Sequence, residues 1–241
     1  MTDSNRVTKI ALLSIAMLLL VATSRAQSRP PIVEELAKAY GLDSFGQIEA
    51  IRYTFNLPLF KISRTWVWEP KADRVTYEGK DKAGNAVKVT YVRSQLSSQP
   101  DNVKKEIEPG FVNDNYWLVF PFHVYWDTSA TVTDEGMQKL PVGKGSARRV
   151  VVKYPSDGGY TPGDTWVLYL GPDNRVQVLD FRHGGSAKPS AVIATWAGYK
   201  KAGPLLISTD HSGRADGTPF TLFFSNVSFK LAGSDTWVNA K

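Results

Sequence analysis

The stretch Phe111-Val-Asn-Asp-Asn-Tyr-Trp-Leu-Val-Phe-Pro-Phe-His-Val-Tyr-Trp-Asp127 decides how the rest of the chain is read. Its seventeen residues carry seven aromatic rings, a proline, a histidine and two aspartates. On both sides the pattern is different. Before it, Ile51, Tyr53, Phe55 and Leu57 alternate with Arg52, Thr54 and Asn56, the period of a half-buried strand. Ile62, Arg64, Trp66 and Trp68 share a face of a second strand, ended by Pro70. Val75 and Tyr77 begin a third, and after a polar turn Val87, Val89 and Tyr91 return antiparallel. Strands joined by such short turns form a meander, because parallel neighbours would need crossover helices.

After the aromatic stretch, 131–145 reads as a glycine- and lysine-containing loop. Val150, Val152 and Tyr154 make a strand. Trp166–Leu170, the turn Gly171-Pro-Asp-Asn174 and Val176–Phe181 form the clearest hairpin. Ala191–Trp196, Leu205–Ser208 and Phe220–Leu231 supply the last strands. At the start, Pro30-Pro31 opens a short amphipathic helix with Ile32, Leu36, Ala39 and Tyr40 on one face and Gly41 beyond its end. The expectation is a mainly β (α+β) fold: one curved antiparallel sheet, or open half-barrel, of about ten or eleven strands. One or two helices accompany it, and the aromatic insert serves as lid or plug.

The first 26 residues read as a signal peptide. Arg6 and Lys9 precede an apolar run from Ile10 to Ala22, and Ser24-Arg25-Ala26 offers small residues at −3 and −1. Cleavage is expected after Ala26, leaving 27–241 as one domain in a bacterial periplasm or secreted, with no integral span. The chain has no cysteine, so disulfides, lipidation on cysteine and every thiol mechanism are excluded. Its 29 basic and 23 acidic residues are scattered, the mark of a solvated surface and not of a nucleic-acid interface.

With its insert and flanking strands, the order of elements resembles the lipoprotein-localisation superfamily of periplasmic carrier and acceptor proteins, also called outer-membrane lipoprotein-sorting proteins. The residues that carry the likeness are Phe111-Val-Asn-Asp-Asn-Tyr-Trp-Leu with Pro121 after it, Trp196-Ala-Gly-Tyr199-Lys-Lys-Ala-Gly203-Pro-Leu, and Phe223-Phe-Ser-Asn-Val-Ser-Phe229. The resemblance implies an open, strongly curved sheet wrapping an apolar cavity, with helices as a lid. The chain departs from the lipid-anchored acceptors in having no cysteine to carry the anchor.

Candidate site residues follow from the aromatics. Arg64, Trp66, Trp68, Tyr116, Trp117, Phe120, Phe122, Tyr125 and Trp126 are expected to line the cavity or lid. His123, Asp127 and Arg182 supply a polar rim. Arg64 falls on the face of Trp66 and Trp68, so it must find a carboxylate, backbone carbonyls or a ligand head group there. His123 and Asp127, four apart, would share a helical face, which suits a hydrogen-bonded pair better than a metal centre. His183 and His211 read as loop histidines. The chain holds no nucleophile-elbow, zinc-protease or phosphate-loop motif. We therefore expect a non-catalytic binding protein with no cofactor or metal. Its expected partner is a lipid or other apolar small molecule, with envelope proteins as further partners. Two other readings stay open: a structural or interaction module with a filled core, and a hydrolase of envelope glycans or esters whose carboxylates meet only in space.

Overall fold

The computed structural model describes residues 29–81, 83–185 and 191–241. The expected signal peptide and its cleavage site lie outside the described residues. The polypeptide forms one curved antiparallel sheet that does not close. Four strands come first: β1 (Ile48–Leu57), β2 (Ile62–Glu69), β3 (Arg74–Lys80) and β4 (Ala86–Val92). Five follow the aromatic stretch: β5 (Thr131–Lys139), β6 (Ser146–Lys153), β7 (Thr165–Leu170), β8 (Val176–Arg182) and β9 (Ala191–Thr195). The chain ends with β10 (Ala197–Ala202), β11 (Leu205–Ala215), β12 (Thr218–Leu231) and β13 (Trp237–Asn239).

Their spatial order is β4-β3-β2-β1-β12-β11-β9-β8-β7-β6-β5, with β10 beside β11 and β13 beside β12. The C-terminal hairpin β11–β12 thus welds two meanders together at the middle of the sheet. Breaks in register bend it: β1 slips against β12 between Ile48 and Ala50 and again between Arg52 and Thr54. A third irregularity lies between Asp134 and Met137 of β5. Bulges of this kind raise local twist and curl a sheet.

This order has a consequence for the connection between β4 and β5. They are successive strands in sequence yet sit at opposite edges of the sheet, so the chain between them must cross one whole face. Laid flat, the eleven strands of the main order would span about 48 Å. The crossing is made by a short π-helical turn, Val103–Ile107, and a 19-residue helix, Glu108–Trp126, which is about 28 Å long. A helix of that length can join the edges only if the sheet curls around it. The N-terminal helices, α1 (Ile32–Ala39) and α2 (Leu42–Phe45), lie before the sheet, and the long helix is α3. Gly41 makes the α1–α2 corner in a left-handed conformation at φ 100°, with Pro204 O only 2.5 Å from where a Cβ would stand.

Helix α3 consists of two helical segments joined by a kink ahead of Pro121. The proline cannot donate to the carbonyl one turn earlier, and the chain yields at Val119, whose φ of −124° and ψ of 25° are not helical. Its C-terminus is closed by Arg29, which donates to the carbonyls of Tyr125 at 2.7 Å and Val124 at 2.5 Å. A cation at that end also complements the helix dipole.

Three details differ from the reading of the sequence. The described residues hold thirteen strands and three α-helices, more of each than expected. Of the expected loop 131–145 only 140–145 is irregular: Thr131–Lys139 is edge strand β5, concealed because only Val132 is buried and its exposed residues, Met137 apart, are polar or glycine. His211 is not in a turn but in the middle of β11 and fully buried; the Asp-His-Ser-Gly run imitates turn chemistry while the backbone stays extended. Among the described residues, no helix is long and apolar enough to cross a membrane.

Candidate functional site

Helix α3 fills the concave face. From Asp114 to Phe122 every residue is buried, so no side of this segment faces water. Such all-round burial is the pattern of a core helix and not of a surface one. Alternation along the strands supplies the other half of the contact. Tyr53 and Phe55 of β1, Trp66 and Trp68 of β2, and Val75 and Tyr77 of β3 point inward and are buried. The Phe111 ring meets Trp66 at 5.5 Å and Trp68 at 6.1 Å. On the far half of the sheet Phe120 stacks on Trp166 at 4.1 Å. Trp117 stands among Trp166, Phe181, Trp196 and His211. Phe122 and Trp126 stack at 5.4 Å and enclose Phe45 of α2.

Two buried carboxylates tie α3 to the first meander. Asp114 has no exposed side-chain surface and accepts from Arg64 through Nε at 2.8 Å and Nη2 at 2.5 Å. It also accepts from Trp66 Nε1 at 2.8 Å and Asn113 Nδ2 at 3.0 Å. Burial pushes the Asp114 carboxyl above the usual range, and Arg64, Asn113 and Trp66 only partly oppose it. One turn and a half earlier, Glu108 accepts from Arg93 at 2.9 and 3.0 Å and from the Tyr91 hydroxyl. Burial first, and then the Glu108 carboxylate, push the Tyr91 hydroxyl far up. The sequence required a partner for an inward Arg64; Asp114 is that partner, and its place on the helix made it invisible to strand-based reasoning.

At the other end of α3 a polar network opens toward solvent. Asp127 accepts from the hydroxyls of Tyr116 and Tyr154, each at 2.7 Å, and lies 3.4 Å from His123 Nδ1. His123 Nε2 is 2.9 Å from Asn115 Oδ1, and its ring stacks on Tyr116 at 3.8 Å. Burial would raise the Asp127 carboxyl, but His123 and the two hydroxyls outweigh it and hold it below the ordinary carboxylate range. His123 and Asp127 are thus a hydrogen-bonded pair on one helical face. Among the described residues, no group of three or more His, Asp or Glu side chains is arranged to hold a metal ion.

The expected site residues separate into three groups. Arg64, Trp66, Trp68, Tyr116, Trp117, Phe120 and Phe122 converge between α3 and the sheet, while Trp126, His123 and Asp127 sit at the C-terminal mouth. Tyr125 is 40% exposed. Arg182 lies apart from all of these. It ends β8, pairs with Asp180 at 3.2 Å, and shares a shallow cleft with Arg149, Val151 and Val167 on the other face. Sequence reasoning missed Tyr154, Trp166, Trp196 and His211, which face α3 from the second meander and the closing strands. Alternation of Trp166, Leu168 and Leu170 was the available signal for the second of them.

The interior is closed but not chemically satisfied. Phe120 and Phe122 have no accessible surface, and the cleft of about 260 Å³ beside Arg64 and Trp66 lies at the edge of the interior. Yet among the described residues two buried indole nitrogens on this face, Trp166 Nε1 and Trp196 Nε1, find no hydrogen-bond partner, and the buried His211 imidazole has at most the Thr195 backbone for its two nitrogens. Groups of this kind are rare in a finished core.

No family model matches the chain, and no curated protein matches it either. Its fold is similar to that of a DUF1329 family protein from Desulfovibrio piger, with a TM-score of 0.43 and 10% identity, over 85% of this chain and 94% of that one. It is also similar to an outer membrane lipoprotein-sorting protein domain from Vibrio parahaemolyticus, with a TM-score of 0.47 and 12% identity over 87% of this chain and 95% of that one.

Proposed function

We propose that the chain is an exported, non-catalytic binding protein that holds a lipid or another apolar ligand on the concave face of its sheet, with α3 as the lid. In this reading the signal peptide leaves after Ala26 and 27–241 works in the bacterial envelope as one domain, in lipid or lipoprotein trafficking. The observation that carries the reading is the group of under-satisfied buried nitrogens around Trp117, on Trp166, Trp196 and His211. Each buried group left without a partner costs about 1–3 kcal/mol. A helix seated for structure alone would be selected with those groups paired or replaced. Seated as a lid, α3 fills the face only until a ligand displaces it, and the ligand's polar end meets the indole and imidazole nitrogens. The ion pairs of Asp114 and Glu108 then act as latches, since charge pairs in a core serve position better than they serve stability.

The fully covered rings of Trp66, Phe120 and Phe122 favour a second reading, an envelope interaction module with a permanently filled interior. Native mass spectrometry of the mature protein, purified from a bacterial periplasm without detergent and then extracted with organic solvent, separates the two. Binding predicts an adduct of lipid mass that extraction removes, or uptake of fluorescent fatty acid by the extracted protein. A bare mass with no uptake would establish the filled module.

A further inference from the structure

A cleft of about 490 Å³ lies at the mouth of the network around Asp127, outside the apolar interior. Its walls come from two elements: the C-terminal end of α3 and the loop 155–164 that links β6 to β7. Four aromatic side chains line it, Tyr116, Trp126, Tyr154 and Tyr160, together with two carboxylates, Asp127 and Asp157. No lysine or arginine is among its described lining residues. The whole chain has a formal charge of +6, so this cleft runs against the sign of the molecule. The nearby cations are engaged elsewhere. Arg29 donates to backbone carbonyls at the end of α3, and Arg93 is held by Glu108 while its guanidinium stands 5.4 Å from the Tyr160 ring. His123 approaches Asp127 from the helix side.

Asp127 keeps 21% of its side chain exposed although two tyrosine hydroxyls already donate to it. Its capacity is therefore not exhausted by the network. The loop has Gly158 and Gly159 at φ 76° and 69°, conformations open to glycine, and these glycines carry the half-exposed Tyr160 at the tip. Aromatic faces with carboxylates, and with Arg93 over the Tyr160 ring as the neighbouring cation, match a cation whose charge is spread over carbon, which gains from ring quadrupoles and from the acids together. An anion would meet two carboxylates and no lysine or arginine in the lining.

We propose that this cleft is a binding site for a quaternary or protonated amine, with Tyr160 and Trp126 as its aromatic walls and Asp127 and Asp157 as its counter-charges. The site is present with α3 seated and does not need the helix to open, since Tyr116 and Trp126 of α3 form part of its wall.

The test is titration of the purified protein with choline chloride, followed by tryptophan fluorescence and calorimetry, with N-acetylglucosamine as a neutral polyhydroxy control. Saturable choline binding is expected, weakened about tenfold by Tyr160→Ala and again by Asp157→Asn. Both residues are exposed, so the variants should fold, and circular dichroism checks that they do. Dihexanoyl phosphatidylcholine, below its micellar concentration, distinguishes the source. Tighter binding than choline identifies a lipid headgroup, and weaker binding identifies a free amine. Absence of saturable choline binding, binding of the sugar in its place, or choline binding unchanged in both variants would overturn the proposal.

Discussion

Replacing Arg64 with methionine is expected to cost about 3 kcal/mol of stability, seen as a fall of roughly 6–10 °C in the unfolding midpoint. The substitution retains much of the aliphatic stem and removes the only guanidinium that reaches Asp114 among the described residues. A carboxylate with no exposed surface then keeps only Trp66 Nε1 and Asn113 Nδ2 as donors. Breaking one side of a buried pair is expensive because the other charge stays behind. The pair Arg64→Met with Asp114→Asn should therefore recover more than half of the loss, since the amide needs no counter-ion.

The effect has a pH signature. The folded-state pKa of Asp114 lies above its unfolded value, so folding takes up a proton in the interval between them. The penalty in Arg64→Met is full above the folded pKa and fades as pH falls toward the unfolded value of about 4. Chemical denaturation at neutral and mildly acidic pH checks both points. A loss below 1 kcal/mol at neutral pH would mean that Asp114 is not a latch.

The second large effect comes from His211. Burial among Trp117, Trp196 and Phe224 lowers its pKa to about 3. In the unfolded chain it titrates near 6.5. A histidine with a depressed folded pKa contributes fully above its unfolded value, and that contribution is lost as pH falls below it, because the unfolded state takes up the proton first. The slope is about 1.4 kcal/mol per pH unit, which reaches 2–3 kcal/mol two units below the unfolded pKa. Other groups titrate in the same range, so the comparison is with His211→Met, in which this slope should vanish while the remainder persists. Equal pH slopes in the two proteins would show that His211 can ionise in place.

Periodicity exposed much of this fold, and topology accounts for what it left hidden. Strands with one wet face, such as β1 and β2, announced themselves through alternation, as did the β7–β8 hairpin through Gly171-Pro-Asp-Asn174. Strand β5 did not, because an edge strand with polar outward residues lacks the contrast that periodicity needs. The role of the aromatic stretch depends on β4 and β5 lying at opposite edges, which no local pattern contains. Once that order is fixed, the crossing helix must be buried over most of its surface, its charges paired, and Pro121 is tolerated because Val119 absorbs the break. For the site, Arg64 declared the need for a carboxylate but not its identity, since Asp114 is fifty residues away on a different element. Arg182 looked equivalent by strand position and is not: residue parity places Phe181 against Trp166 and leaves Arg182 on the outer face.

Hydrogen exchange along α3, with and without a long-chain fatty acid, tests most directly whether this helix is a lid. The account predicts that ligand raises exchange in the amides of 111–126 while β1, β11 and β12 remain protected, because displacement of the helix leaves the sheet intact. Equal protection of α3 in the presence and absence of ligand would contradict it and identify the helix as permanent core.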